Sequence, residues 1–187
     1  MDYILASGSP RRKELLKLVI PKFSCVTADI EEICPPYIPP EERPQYLAVK
    51  KATHIAKQNK NSTVIGADTA VFLNGKMLGK PKDESDAENM LKSLSGKTHK
   101  VITGCAIVCG DKKTEFSVQT EVTFFELSDK ETKKYILTKE PMDKAGAYGI
   151  QGYGSLLIKE IKGDYFNVVG LPVSALNKNL NRFLTLI

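Results

Sequence analysis

Residues 6–16 read ASGSPRRKELL, a stretch that concentrates two hydroxyls, a glycine and three consecutive cations. Ser9 has the character of a helix N-cap and Pro10 of a first helical residue, with Leu15, Leu16 and Leu18 as the apolar stripe that follows. A helix start carries unpaired N–H groups and about half a positive charge, so each cation placed there costs about 0.3–1 kcal/mol. Arg11, Arg12 and Lys13 occupy that turn, where acids belong. An anion would offset them. Planar guanidiniums suit phosphate oxygens through paired hydrogen bonds, and Ser7, Gly8 and Ser9 add small groups and hydroxyls at the end of a strand. The plainer alternative is a basic turn facing solvent.

Further along, Lys51 falls four residues after Leu47 and four before Ile55, so it shares their inward face. Lys50 and Lys57 share the other face with Thr53 and His54 and read as solvated. An inward ammonium needs an anion. Asp68 follows the apolar run Val64-Ile65-Gly66-Ala67 and reads as the end of that strand. A carboxylate there either caps the next turn or pairs with a cation or a metal ion. Glu31 and Glu32 add carboxylates, and hard oxygen donors of this kind suit Mg²⁺ or Mn²⁺ carried with a phosphate substrate. Lys80, beside Pro81, has no role that pattern alone assigns.

The better-known phosphate loops are absent. GKMLGKP places its glycines at 75 and 79, one residue too close for a Walker A loop, and Pro81 stands where Ser or Thr is required. Leu91 stands where GKT at 96–98 would need its upstream glycine, and the loop after Gly146 does not give GxGxxG between strand and helix. Zinc is a poor fit, since the two histidines, His54 and His99, and the four cysteines show no ligand spacing. Those cysteines, Cys25, Cys34, Cys105 and Cys109, read as buried reduced thiols.

The elements that must position these groups follow from periodicity and breakers. A chain of 187 residues, 42% hydrophobic and 26% charged, suits one soluble α/β domain. No apolar run approaches the ~20 residues of a membrane helix, no signal segment is visible, and a cytoplasmic location is expected. A net charge of +5, with scattered lysines, permits a small phosphorylated ligand and demands no stable nucleic acid partner. Strands are expected at Tyr3–Ala6, Phe23–Thr27 and Thr63–Asp68, and a hairpin around Asn74-Gly75. The segment EEICPPYIPPEERP, with five prolines, reads as a surface excursion that ends where Pro44 opens a helix to about Asn59. A helix over 83–95, two long strands joined near Gly110-Asp111 and a helix capped by Ser128 and Glu131 come next. The glycine-rich AGAYGIQGYG then leads to SLLIKEIKGDYFNVVG, which reads as a strand, a turn and a short strand, and to a closing helix from Pro172 to Leu184. The expected fold is α/β: a mixed elongated sheet flanked by helices, with two lobes and a central cleft in a single domain over 1–187.

Taken together, LASGSPRRKELL, EE at 31–32, LAVKKA, GADTAVFLNGKMLGKP, LSGKTHKVITG, DKAGAYGIQGYG and GDYFNVVGLP resemble the Maf-type nucleotide pyrophosphatases, in family order from residue 5 to 172. The resemblance implies hydrolysis of a nucleoside triphosphate to the monophosphate and pyrophosphate with a divalent metal, and AGAYGIQG is similar to the branch that acts on dTTP and UTP. It puts the proton acceptor at Asp68 and specificity positions at Arg11, Thr69 and Gln151. Further active-site positions fall on Ser9, Arg12, Glu32, Lys51 and Lys80. It also implies cytoplasmic location, frequent homodimerisation and a link to arrest of septum formation.

The residue chemistry is compatible with these roles. Arg11, Arg12, Lys51 and Lys80 are expected to converge on the triphosphate, with metal near Glu32 and Asp68. Asp68, directly or by way of a metal-held water, would deprotonate the attacking water. The Gln151 amide matches the N3–H and O4 of uracil or thymine, although an amide flip would also match cytosine. A glycine turn in which the glutamine caps backbone is the plainer alternative for GIQGYG. Two other functions are carried forward: the same chemistry on another or modified base, and a non-catalytic division regulator that binds nucleotide or nucleic acid.

Overall fold

The computed structural model describes residues 2–185. Among them one sheet runs in the order β2-β1-β3-β5-β6-β7, with β4 paired to β3. The strands are β1 (Asp2–Leu5), β2 (Ser24–Cys25), β3 (Ser62–Leu73), β4 (Lys76–Leu78), β5 (Thr98–Cys109), β6 (Lys112–Phe124) and β7 (Ile158–Lys162). Strand β1 is parallel to both β2 and β3, while β3–β4 and β6–β7 are antiparallel, so the sheet is mixed as expected. The helices are α1 (Pro10–Leu16), α2 (Arg43–Gln58), α3 (Glu84–Leu94), α4 (Asp129–Leu137), α5 (Tyr165–Val169) and α6 (Val173–Leu184).

The chain divides into two compact units, one of Met1–Thr69, Thr103–Val118 and Gly170–Ile187, the other of Ala70–Ile102 and Gln119–Val169. Each has its own apolar core. In the first, Ile4, Ala48, Ala52, Ile55, Val64, Ala106 and Val108 bury the inward face of α2 against β1, β3 and β5. Small residues let that helix come close. A Cβ at Gly66 would stand 2.3 Å from the Ala48 carbonyl, and one at Gly104 would stand 2.2 Å from the Gln45 backbone. In the second, Leu91 and Leu94 of α3 and Tyr135 and Ile136 of α4 pack with Val71, Val122, Phe124 and Tyr148.

Three expectations are corrected. Asp68 does not end a strand: β3 continues without a break to Leu73, because Thr69-Ala70-Val71-Phe72 is itself good strand sequence. The segment YFNVV is helix α5, not a strand, since the Asp164 carboxylate accepts hydrogen bonds from the Phe166 and Asn167 N–H groups and starts a helical turn. All four cysteines are free, yet only Cys105 is buried. Burial pushes its thiol up to about 12. Among the described residues no helix is long and apolar enough to cross a membrane.

Candidate active site

Helix α1 begins as its sequence dictates. Ser9 is the N-cap, its hydroxyl accepting from the Arg12 N–H, and Pro10 takes the first helical position. Arg12 already donates to three acceptors of its own unit: Nε to the Gly170 carbonyl at 2.9 Å, Nη1 to Ser7 Oγ at 3.3 Å and Nη2 to Thr69 Oγ1 at 3.0 Å. A guanidinium has five N–H groups, so donors on Nη1 and Nη2 are still left for a ligand. Burial lowers the Arg12 pKa, and the nearby Asp68 carboxylate pulls it the other way. Thr69 also shares a hydrogen bond with the buried Thr103 at 2.9 Å. Arg11 precedes Arg12 on the same turn of α1.

Lys51 lies where the stripe of α2 places it, buried, with Nζ 2.7 Å from Asp68 Oδ1 and 2.7 Å from Glu32 Oε1. The two carboxylates differ in setting: the Asp68 side chain is 16% exposed and that of Glu32 57%. Burial pushes the Asp68 carboxyl above the usual aspartate range, outweighing the pull of Lys51 and Arg12 in the opposite direction. A part-buried carboxylate of raised pKa, tethered by one ammonium, is a competent proton acceptor. Glu32 is held from behind. Lys50, expected in solvent, donates to the Glu31 carbonyl at 2.7 Å and fastens the proline-rich segment to α2.

Two carboxylate oxygens that share one ammonium lie within twice 2.7 Å of each other. Mg²⁺ is commonly held by one or two carboxylates, with waters and substrate phosphates completing the shell. Glu32 and Asp68 fit that donor set. Among the described residues no group of three or more His, Cys, Asp or Glu side chains comes together, so they do not form an all-protein cage.

Lys80 and Gln151 belong to the second unit. Lys80 is exposed beside Gly79, whose carbonyl accepts from Gly146 N–H at 2.9 Å, so its segment is tied to the glycine-rich loop. Gln151 is exposed at the start of the 3₁₀ turn Gly152–Leu157, and its side chain makes no capping hydrogen bond there. Tyr148 is buried against His99, with Tyr148 Oη 2.7 Å from His99 Nε2. Tyr153 and Tyr165 are exposed.

Sequence reasoning missed the Gly170 carbonyl, Thr103 and the Lys50 tether. A backbone acceptor leaves no side-chain signature, and the one available clue was a glycine, which at φ +124° holds a conformation that other residues rarely adopt. Thr103 could have been noticed as the hydroxyl in the otherwise apolar run Val101–Val108.

The sequence matches the family model of the Maf-like proteins over residues 2–183. It is 50% identical over 180 residues to a dTTP/UTP pyrophosphatase of Bacillus cereus strain AH187, covering 96% of this chain and 94% of that protein. A dTTP/UTP pyrophosphatase of Bacillus cytotoxicus is 49% identical, covering 97% and 95%. Among solved structures, a HAM1 protein from Coxiella burnetii superposes with a TM-score of 0.59 at 14% identity, covering 97% of this chain and 99% of that one. The Ham1 protein of Staphylococcus aureus gives 0.54 at 17%, covering 84% and 80%. The two structures share the fold; the family model and the curated relatives, which run nearly end to end, make this chain a member of the Maf family.

Proposed function

We propose that this protein is a cytoplasmic nucleoside triphosphate pyrophosphatase that converts dTTP and UTP to the monophosphate and pyrophosphate. The observation that carries the reading is the part-buried Lys51–Asp68 pair with Glu32 on the same ammonium, in a chain half identical to proteins named for that activity. A water oxygen bonds to the α-phosphorus and the bond to the bridging α–β oxygen breaks. Pyrophosphate leaves with the electron pair. Asp68 takes the proton from the attacking water, and burial makes it a stronger base than an ordinary aspartate.

Lys51 keeps Asp68 in one orientation and supplies positive charge, and Glu32 balances that ammonium. Arg11 and the spare donors of Arg12 neutralise phosphate charge, with Ser9 at the same helix start. A divalent ion, Mg²⁺ or Mn²⁺, held by Glu32 and Asp68 would supply Lewis-acid neutralisation of the phosphates. Lys80 is assigned to the phosphates, and Thr69 and Gln151 to specificity, by the family resemblance. For Gln151 the exposed, uncapping amide supports that role.

The test is pyrophosphate release from UTP, dTTP, CTP, GTP and ATP with Mg²⁺ or Mn²⁺. UTP and dTTP should turn over fastest, with loss of turnover in EDTA. Release from no nucleotide, or a purine preference, overturns the proposal.

A further inference from the structure

We infer that Glu140, with Tyr135, is a positioning residue for base selection: together they fix the backbone on both sides of Gln151. The inference deepens the reading of Gln151 as the group that recognises uracil or thymine, and it rests on that reading.

The contacts bracket the glutamine. Two residues before it, the Gly149 N–H donates to Tyr135 Oη at 3.1 Å, and that hydroxyl donates on to Glu140 Oε1 at 3.5 Å. Two residues after it, the Tyr153 N–H donates to Glu140 Oε2 at 2.9 Å, and the Gly154 N–H points at Oε1 at 3.5 Å. One carboxylate thus collects the amides on one side and, through a phenol, the amide on the other. The loop closes on it without slack. Gly152 stands at φ +64°, and a Cβ there would lie 2.9 Å from Glu140 Oε2, while one at Gly154 would lie 2.1 Å from the Gly149 carbonyl. In the middle of this brace the Gln151 side chain is exposed and caps nothing.

A glutamine that must tell uracil from cytosine does so with one amide, whose donor and acceptor ends are easily exchanged. Discrimination then depends on where the backbone holds that amide, and a misplacement of about 1 Å can cost about 10²-fold. An ionised carboxylate that accepts main-chain N–H groups gives the stronger, charge-assisted form of hydrogen bond for that task. Glu140 makes these bonds to a loop well along the chain, so they order the turn that carries Gln151.

The test compares wild type with Glu140→Ala, Glu140→Gln, Tyr135→Phe and Gln151→Ala, measuring kcat and KM on UTP, dTTP and CTP and the binding of UMP and CMP by calorimetry. Glu140→Ala should raise KM for UTP and dTTP by about 10-fold or more and weaken UMP binding in parallel, with kcat within about threefold of wild type and a narrowed UTP-over-CTP preference. Glu140→Gln, which keeps one acceptor oxygen, should recover part of the selectivity, and Tyr135→Phe should shift it in the same direction by a smaller factor. A folded Glu140→Ala with wild-type KM, UMP affinity and selectivity overturns the inference. So does an equal loss of kcat on all nucleotides with KM unchanged. If Glu140→Ala does not fold, wild-type behaviour of both Glu140→Gln and Tyr135→Phe overturns it instead. Unaltered selectivity in Gln151→Ala removes the base-reading role and the inference with it. Altered selectivity in Gln151→Ala alone leaves that role standing and sinks only the part given to Glu140.

Discussion

In the first unit, charged side chains are spent on one another: Lys51 holds Asp68 and Glu32, each at 2.7 Å. In the second, Tyr135 and Glu140 are spent on the main chain, gathering the amides of Gly149, Tyr153 and Gly154. In the first arrangement partial burial raises the pKa of a carboxylate against the pull of a neighbouring ammonium, which strengthens it as a base. The second restricts conformation, leaving one side chain exposed on a fixed backbone. Proton transfer needs the former and recognition of a base the latter, so the two units should respond differently to substitution.

Asp68→Asn should have the largest effect. Loss of a general base typically removes about 10²–10⁴-fold of rate, so kcat on UTP should fall by at least about 10² while KM changes little. The raised pKa means that burying the Asp68 charge costs stability at neutral pH. Thermal unfolding of the variant should therefore occur at or above the wild-type temperature. A variant that keeps a tenth of the wild-type rate removes Asp68 from the role.

The next effect is on folding, in the second unit. Burial lowers the His99 pKa from 6.5 to about 4. The unfolded chain takes up the proton first as pH falls, so stability is full above about pH 7 and declines between 6.5 and 4, by up to about 3 kcal/mol. Urea unfolding at pH 7 and pH 5 should show this decline in the wild type and a smaller one in His99→Gln. Equal slopes would place the acid sensitivity elsewhere.

Lys51→Met should lower kcat/KM by about 10–100-fold, through lost orientation of Asp68 and lost phosphate charge, and it leaves a buried carboxylate unpaired that should lower the unfolding temperature as well. Lys50→Met should be mildest. It frees the Glu31 carbonyl, and the Mg²⁺ concentration needed for half-maximal rate should rise about threefold, as expected for one lost charge-assisted hydrogen bond at the surface. If Lys50→Met instead proves as damaging as Lys51→Met, the distinction between these two neighbouring lysines of α2 is wrong.

Much of this was legible in the amino acids, and the pattern of what was not is physical. Helix α2 announced itself through its stripe, and the stripe selected Lys51 over Lys57 because periodicity reports which face is buried. It places Lys50 on the outer face, where the structure has it, and is silent on the main-chain carbonyl that a residue there can still reach. The cap at Ser9 and the capping box of α4 were readable because side chains make them. The Gly170 carbonyl on Arg12 and the amides on Glu140 were not, because any residue offers the same main-chain groups and only the fold decides which are near. Helix α5 was misread for a related reason. Val168 and Val169 favour a strand, but the Asp164 carboxylate two residues ahead of Phe166 outweighs them.

The notch formed by Gly66 and Gly104 gives the spacing of helix and sheet a chemical meaning. Adding a single methyl at Gly104 would meet main-chain atoms of Gln45 that have nowhere to retreat, and the helix would have to ride outward, taking its ammonium away from the carboxylate on the strand beneath. Turnover in this enzyme would thus be sensitive to a hydrocarbon change that touches neither nucleotide nor ion, a form of damage no inventory of polar residues would anticipate.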